Sequence, residues 1–420
     1  MNCHNRVMRL WLLTLLVASM LPAADEQQLA LELRAQSDFD RVQLAAAPSL
    51  AETGLCVQSQ AALLAVAPIA EQALVHYRKG YCSLAGNDFA AAAPEFDKAA
   101  DAWRTASSHS KDLARPVPAP LLALSGIARL KAGGDEDAPA VAEKNINAAL
   151  ANPSCTSALM TAGSCEAELA TAREWLGWLD VRRDNLTAAA REFGQTANTA
   201  WQHWVAGRQA FANRSYAQAA DDGRRAIEEW DQQRNLAAPS LNDRLRPQPD
   251  LGQALTDLGG AQLLAGETPA AIATLDRAVK TPTVEARAYY FRARAKELSG
   301  QQEAAIADYA LASRTAFAGT QDLASGEAHL YRGIAYYRRK QFQRAEEEFA
   351  SALNFNVPAP LRPDAEAWRY LAAVATGSCQ ASREALASAM GRVSPYFPRT
   401  EAATAMAACP MSSMTALRPN

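Results

Sequence analysis

The chain has 420 residues, a formal net charge of −3, 49% hydrophobic residues and only 7% aromatic residues. A charge this close to neutral gives no overall reason to expect nucleic acid or an anionic membrane as a partner. The length exceeds what one compact core usually spans, so either two or three domains or an elongated repeat array is expected.

Residues 1–24 have the pattern of a secretory signal peptide. Arg6 and Arg9 supply the positively charged N-terminal region, and Trp11–Leu21 form the apolar region. Pro22-Ala23-Ala24 supply the small residues of a cleavage site. The apolar run of about 11 residues is shorter than the roughly 20 that a membrane span needs, which favours cleavage over a retained anchor. No cysteine follows at a lipid-attachment position. The chain is therefore expected in a periplasm or secreted, with no stable membrane span after cleavage.

Six of the seven cysteines lie beyond the signal peptide. An even number of cysteines behind a signal peptide indicates disulfides. Six cysteines permit 15 pairings, and neighbours in sequence favour Cys56–Cys82, Cys155–Cys165 and Cys379–Cys409. A zinc site is the alternative, but the sequence has no Cys-x-x-Cys pair and no histidine close to two cysteines.

The best preserved stretch of a repeated pattern is Gly326–Phe355, which reads as two amphipathic helices joined by a tight turn. Its Gly333, Ala345, Phe349 and Ala352 recur at the spacing shown near the start by Gly80, Ala92, Phe96 and Ala99. Small residues are needed where the two helices touch, and the aromatic residue fills the gap between neighbouring units. This pattern resembles the tetratricopeptide repeat (TPR) family, whose unit is a helix–turn–helix of 34 residues.

The same pattern recurs in eight successive stretches between Ala73 and Arg392. The second stretch is a degenerate match, and the last is a weak one. A kink is expected at the longest insertion. The predicted organisation is a signal peptide (1–24), an N-terminal helical cap (25–70), a first half-array (71–235), an inserted loop (236–249), a second half-array (250–393) and a C-terminal tail (394–420). Within the tail, a short helix at Glu401–Ala408 is expected to be held on the array by Cys379–Cys409. The resemblance implies an all-α, right-handed superhelical solenoid of TPR-like hairpins.

In the TPR family, fixed positions of each first helix line a concave groove. Carried onto this sequence, those positions are rich in aromatic residues and arginine, the types enriched at binding hot spots. The predicted groove residues are Tyr77, Tyr81, Trp178, Arg182, Trp201, Trp204, Arg208, Phe211, Arg287, Tyr290, Arg294, Tyr337 and Arg338. Alternatively, some of these rings pack between repeats or are covered by the terminal caps. No Lys–Asn pair occupies the positions that hold a peptide carboxylate in one TPR subclass, so that function does not carry over.

No catalytic chemistry is predicted. The sequence has no GxSxG, HExxH, P-loop or GxGxxG motif. His76, His203 and His329 each occupy the fourth position of a first helix, where a packing role is expected. We therefore predict no catalytic residues, no metal and no cofactor.

The resemblance implies a non-enzymatic scaffold of the bacterial cell envelope that binds a protein or peptide in its groove. Three alternatives stay open at this point. The first is an enzyme, or an accessory subunit of an envelope enzyme complex, that uses the groove as a substrate platform. The second is a peptidoglycan or polysaccharide binder that uses Trp201 and Trp204 as a stacking platform, and the third is a self-assembling structural protein.

Overall fold

The structure is a computed structural model, and it describes residues 23–45, 48–108, 116–133, 137–153, 155, 162–235, 239–318, 326–355 and 357–409. The predicted signal sequence up to residue 22 and the end of the tail from residue 410 lie outside the described residues. Within those ranges the regular structure is helical and contains no strand, which confirms the predicted all-α class. The right-handed superhelical path stays a prediction.

The helices are α1 (Ala23–Leu44), α2 (Leu50–Leu64), α3 (Ile69–Ala85), α4 (Phe89–Ser108), α5 (Ala119–Ala132), α6 (Ala138–Ala151), α7 (Ala162–Arg182), α8 (Leu186–Phe193), α9 (Thr199–Ala212), α10 (Tyr216–Arg234), α11 (Leu241–Leu245), α12 (Leu251–Leu264), α13 (Thr268–Ala278), α14 (Ala286–Leu298), α15 (Gln302–Ala318), α16 (Gly326–Arg338), α17 (Phe342–Asn354), α18 (Arg362–Ala375), α19 (Cys379–Ala389) and α20 (Arg399–Ala408). Eight helical hairpins follow one another among them, at the eight stretches where the sequence pattern predicts them. The predicted tail helix at Glu401–Ala408 is α20.

Each hairpin turns through a residue with positive φ. Glycine adopts this conformation at no steric cost, whereas other residues in it are uncommon. The turn residues are Asn87, Gly133, Asp184, Arg214, Gly266, Gly300, Lys340 and Gly377. In the best preserved hairpin, the amide of Gln341 donates to the carbonyl of Tyr336 at 3.0 Å, which closes the end of the first helix as in a Schellman motif.

Close contacts between a glycine of the first helix and a residue sixteen positions later hold the hairpins together. A Cβ placed on Gly80 would lie 3.0 Å from the ring of Phe96, and one on Gly333 would lie 2.5 Å from the ring of Phe349. The same relation joins Gly177 to Phe193 and Gly259 to Leu275. These are the small and large positions of the sequence pattern, so the repeats of the structure are the repeats that the resemblance implies.

The predicted N-terminal cap is formed by α1 and α2. The side-chain amide of Gln60 in α2 donates to the carbonyl of Ala35 in α1 at 2.7 Å, in a buried position. Ser49 and Glu52 form a capping box at the start of α2. The Cys56–Cys82 disulfide then joins α2 to the first helix of the first hairpin.

The chain divides into two compact units. Unit 1 comprises the described residues of Met1–Thr199 and Gln233–Gln248, and unit 2 those of Ala200–Gln232 and Pro249–Asn420. These limits differ from the predicted half-arrays, because the hairpin of α9 and α10 belongs almost entirely to unit 2. The predicted inserted loop instead contributes to unit 1.

Candidate functional site: the first-helix faces

The thirteen predicted groove residues lie on the first helices of their hairpins, but the chain covers them to different degrees. Five are buried, with exposed fractions between 2% and 8%: Tyr77, Trp201, Trp204, Tyr290 and Tyr337. The rest are partly exposed except for Arg182, which is exposed. Whether they bind a partner stays a prediction.

In unit 1, the segment predicted to be an inserted loop lies against the first helices. Its helix α11 is short, yet Ser240 and Asp243 form a capping box at its start. Leu241 and Leu245 stand four residues apart on one side of it, and α11 packs on α5 and α7. Leu245 is only 1% exposed and belongs to the hydrophobic core of unit 1. The predicted inserted loop thus contains a capped, amphipathic turn of helix that buries its apolar side here.

Polar contacts fix this segment to two first helices, α3 and α7, and packing joins it to a third. The indole nitrogen of Trp175 in α7 donates to the carbonyl of Leu245 at 2.8 Å. The guanidinium of Arg244 donates to the carbonyl of Ala85, at the end of α3, at 3.1 Å and to Oδ1 of Asn87 at 3.0 Å. With the packing of α11 on α5, these contacts carry the segment across three successive hairpins.

Two buried carboxyl groups lie on α7 in the same region. Glu174 is 1% exposed, faces Arg246 at 3.7 Å and accepts from Asn198 at 3.3 Å. Burial raises its pKa, and Arg246 and Asn198 offset part of that effect. Glu168 is 3% exposed and burial raises its pKa well above the usual value. Its Oε2 accepts no hydrogen bond from the described residues.

In unit 2, the C-terminal segment, residues 394–409, covers the first helices. The ring of Tyr396 stacks on Phe291 with centroids 4.4 Å apart, and its hydroxyl lies 2.8 Å from where a Cβ on Gly260 would be. Phe397 packs edge-on against Trp368 at 5.3 Å. The amide of Ser394 donates to Asp364 at 2.7 Å. With the ion pair from α20 to α16 described next, the segment contacts four first helices, which are α12, α14, α16 and α18.

An ion pair anchors the same segment to one predicted groove residue, Arg338, which belongs to a wider charged network. Arg338 donates to Glu401 of α20 at 2.6 Å and also pairs with Glu297. Arg294 pairs with Glu297 as well, and the hydroxyl of Tyr309 donates to Glu297 at 2.9 Å. Burial opposes the positive charge of Arg338, but the carboxylates of Glu297 and Glu401 outweigh it and raise its pKa. The C-terminal segment therefore covers two of the predicted groove residues, Arg338 and Tyr290. The ring centroid of Tyr290 lies 6.3 Å from that of Tyr396.

Trp201 and Trp204 lie within a cluster of three indoles. Their centroids are 5.4 Å apart, and those of Trp201 and Trp230 are 5.1 Å apart. Edge-to-face packing of this kind is a stable arrangement for aromatic rings. Because both rings are buried, the pair offers no exposed stacking platform for a sugar. Phe211, farther along α9, remains partly exposed and packs against Tyr216 at 5.4 Å.

The three first-helix histidines each face a carboxylate on the second helix of their own hairpin, nineteen residues later. His76 lies 2.7 Å from Glu95, and His329 lies 2.8 Å from Glu348. His203 is 3.7 Å from Asp222. The recurrence of an acidic residue at this spacing is visible in the sequence, so these pairs could have been predicted from it. The described residues contain no group of three or more His, Cys, Asp and Glu side chains placed to hold a metal ion.

All three predicted cysteine pairs are disulfides in the structure. Their Cα–Cα distances of 6.0, 5.6 and 5.7 Å lie in the ordinary range for disulfides. Cys379–Cys409 joins the start of α19 to the residue that follows α20, so the C-terminal segment is covalently closed on the array. Across the described helices, none is both long and apolar enough to cross a bilayer.

No family model and no curated protein sequence matches the chain. Solved structures with a similar fold include that of the MamA protein, at 18% identity, with 47% of this chain and 93% of that chain covered and a TM-score of 0.30. A tetratricopeptide repeat protein from Parabacteroides merdae is similar at 14% identity, 76% and 99% coverage and a TM-score of 0.36. The Cut9–Hcn1 hetero-tetramer of the APC/C is similar at 14% identity, 86% and 77% coverage and a TM-score of 0.39.

The repeat type follows from the contacts within the hairpins. The glycine-to-ring relation at sixteen residues recurs in both units, and each turn passes through a positive-φ residue. The chain is therefore an all-α array of tetratricopeptide-like helical hairpins.

Proposed function

We propose that the chain is a non-enzymatic scaffold that binds short segments of protein partners on the first-helix faces of its units. The observation that carries this proposal is that each unit already holds a peptide segment on that face. In unit 1 the segment is held by hydrogen bonds that involve backbone carbonyls and by burial of Leu245 in the hydrophobic core. In unit 2 it is held by stacked rings and an ion pair. These are the contacts by which helical grooves recognise peptides.

The residues that remain accessible support the same role. Trp178 is partly exposed, and the guanidinium of Arg182 lies 4.9 Å from its ring centroid. A paired tryptophan and arginine at a surface are typical of interface hot spots. The burial of Trp201 and Trp204 removes the feature that favoured a polysaccharide ligand, so a protein ligand is the better proposal.

The partner is proposed to be a protein of the bacterial cell envelope, because the N-terminal sequence has the pattern of an export signal and six cysteines form three disulfides. Cell fractionation and mass determination of the mature chain test the location. A full-length chain in the cytoplasm would contradict it.

In-cell photo-crosslinking tests the binding role. A photo-reactive residue at Arg182, on the first helix α7, is expected to capture a discrete protein. The same residue at Glu347, exposed on the second helix α17, is the control. Absence of protein adducts at position 182, or equal adducts at both positions, would overturn the proposal. Turnover of a substrate by the purified chain would also overturn it.

A further inference from the structure

We infer that the first-helix face of unit 1 binds a basic, apolar peptide with two leucine-type side chains four residues apart and an arginine beside the second. Residues 240–248 of the chain itself then act as an internal competitor for that site. The inference rests on the proposed function and deepens it, since it names the chemistry of the partner.

The internal segment shows which chemistry the face accepts. Leu245 is almost completely buried beneath α11, while Leu241 packs on the edge of the same core. The same core also includes the buried ring of Trp175, which donates to the carbonyl of Leu245, and the partly buried rings of Tyr81 and Trp178. A partner needs an apolar side chain at the place of Leu245, because a polar one would be buried there without a hydrogen bond.

The basic character of the partner follows from the acceptors at the end of α3 and on α7, which outnumber the cation that lies near Arg244, Lys131 of α5. Arg244 donates to one carbonyl oxygen at the end of α3 and to the side chain of Asn87. The last carbonyls of a helix carry partial negative charge and favour a cation. Arg246 faces the buried carboxyl group of Glu174 at 3.7 Å. A peptide with acidic residues in place of both arginines would lose both contacts.

The face offers a further acceptor that the internal segment does not use. Glu168 precedes Trp175 by seven residues, so the two side chains lie on the same side of α7, about two turns apart. Burial of Glu168 leaves its Oε2 without a hydrogen bond among the described residues. A partner peptide that extends along α7 with one more basic or hydroxyl side chain would satisfy this oxygen. Such a partner would bind more tightly than the internal segment.

Few contacts hold residues 240–248 on the face, so the segment can dissociate from it. Its helix has five residues, Leu245 and Pro247 are its buried side chains, and the remaining positions from 241 to 246 are only partly buried. No cysteine lies within 240–248, whereas the C-terminal segment of unit 2 is closed by Cys379–Cys409. Displacement therefore breaks a few contacts and no covalent bond.

Because the segment is tethered, it competes at an effective concentration on the order of millimolar. A peptide added in trans with the same sequence binds only to the fraction of molecules whose face is open, and its apparent affinity falls by that fraction. Releasing the segment should restore the full affinity.

The test uses the full-length, disulfide-bonded chain and a fluorescein-labelled peptide of residues 239–248, with binding followed by fluorescence anisotropy. The chain with Leu241→Ser and Leu245→Ser is expected to bind the probe at least about tenfold more tightly than the wild type. A chain with Leu298→Ser, at a 64% exposed leucine of unit 2, is the matched control and should bind like the wild type. Adding Trp175→Phe to the double variant removes the donor to the Leu245 carbonyl and should weaken binding about fivefold.

Circular dichroism and thermal melting establish that each variant folds. Should the double leucine variant not fold, Arg244→Glu keeps both leucines and reverses the charge that faces the Ala85 carbonyl, and it should also bind the probe more tightly than the wild type. A peptide of scrambled order, and one with glutamate in place of both arginines, should bind weakly. Equal affinity of the wild-type and opened chains, no binding to either, or equal binding of the scrambled peptide would overturn the inference.

The two proposals fail in different ways. If protein adducts form at position 182 but the Leu241→Ser/Leu245→Ser chain does not bind the probe, the scaffold function stands and the partner chemistry inferred for unit 1 is wrong. If the opened chain binds the probe but no protein adducts form in cells, the site exists and the proposed scaffold function is wrong.

Discussion

Replacement of Gly333 by alanine is expected to destabilise unit 2, although alanine is the better helix former. A Cβ at this position would lie 2.5 Å from Cε1 and 2.7 Å from Cδ1 of Phe349. The ring of Phe349 is fully buried and stacks on Trp368, with centroids 5.9 Å apart. Because the ring is fully buried and packed against Trp368, it has little room to move aside, and α16 and α17 must separate instead.

The size of the effect follows from two opposing contributions. Overpacking of a filled core costs about 1–3 kcal/mol, and replacing glycine by alanine within a helix returns up to about 1 kcal/mol. The net loss is about 1–2 kcal/mol, which corresponds to a fall in Tm of about 2–8 °C for a unit of roughly 200 residues.

The matched control is Gly54, which lies inside α2 and would have no heavy atom of the surrounding protein within 4 Å of an added Cβ. Gly54→Ala should stabilise the chain by about 0.5–1 kcal/mol, since only the helix contribution applies. Thermal and urea unfolding of both variants, followed by circular dichroism and tryptophan fluorescence, measures the difference. If Gly333→Ala stabilises the chain as much as Gly54→Ala does, the hairpin contact described for Gly333 is wrong.

Three further outcomes are expected. Burial raises the pKa of Asp257 to about 6, so the folded chain holds this proton more tightly and loses stability as pH rises from about 4 through 6. Asp257→Asn should therefore become more stable relative to wild type by roughly 2 kcal/mol between pH 4.5 and 7.5. The double variant Cys379→Ser/Cys409→Ser should lower the free energy of unfolding by about 3 kcal/mol, because the closed loop no longer restricts the unfolded chain. Arg338→Met should cost about 2 kcal/mol, because the buried Glu297 carboxylate keeps Arg294 and Tyr309 but loses one of its two guanidinium partners. Glu401→Gln, at a partly exposed partner, should cost about 1 kcal/mol or less.

Each of these three predictions has an outcome that would contradict it. A stability difference between wild type and Asp257→Asn that does not change with pH would show that burial does not hold the proton on this carboxyl group. Unchanged melting of the serine double variant would argue against a structural role for that disulfide. Equal losses for Arg338→Met and Glu401→Gln would contradict the deeper burial of the Arg338–Glu297 pair.

The hairpins could be predicted from the sequence because their determinants are local. Gly333 and Phe349 are sixteen residues apart, and small and large residues at that spacing recur in neighbouring units. Cysteine pairing between sequence neighbours was predictable for the same reason, since each pair spans one or two helices. The limits of the two units were not predicted, because the longest insertion indicates a boundary in the sequence, whereas in the structure it packs on unit 1.

The sequence left open that terminal caps cover the first-helix faces, but it did not predict which residues do so. The contact between Trp175 and Leu245 joins residues 70 positions apart, and neither residue belongs to a pattern that names the other. The contacts of the tail were equally hard to predict, because Tyr396 packs on Phe291 and Gly260, which belong to hairpins that are distant in the sequence. A family pattern assigns positions to a groove, but it does not say which of them the chain's own insertions cover.

The order of the disulfides along the chain has a consequence for biosynthesis. Beyond the predicted signal sequence, every cysteine bonds to its neighbour in sequence, first with second, third with fourth and fifth with sixth. An oxidant that acts on the chain as it emerges, N-terminus first, finds the correct partner each time the next cysteine arrives. Consecutive oxidation therefore yields the native set without thiol–disulfide rearrangement, and the last bond closes only when the array is complete.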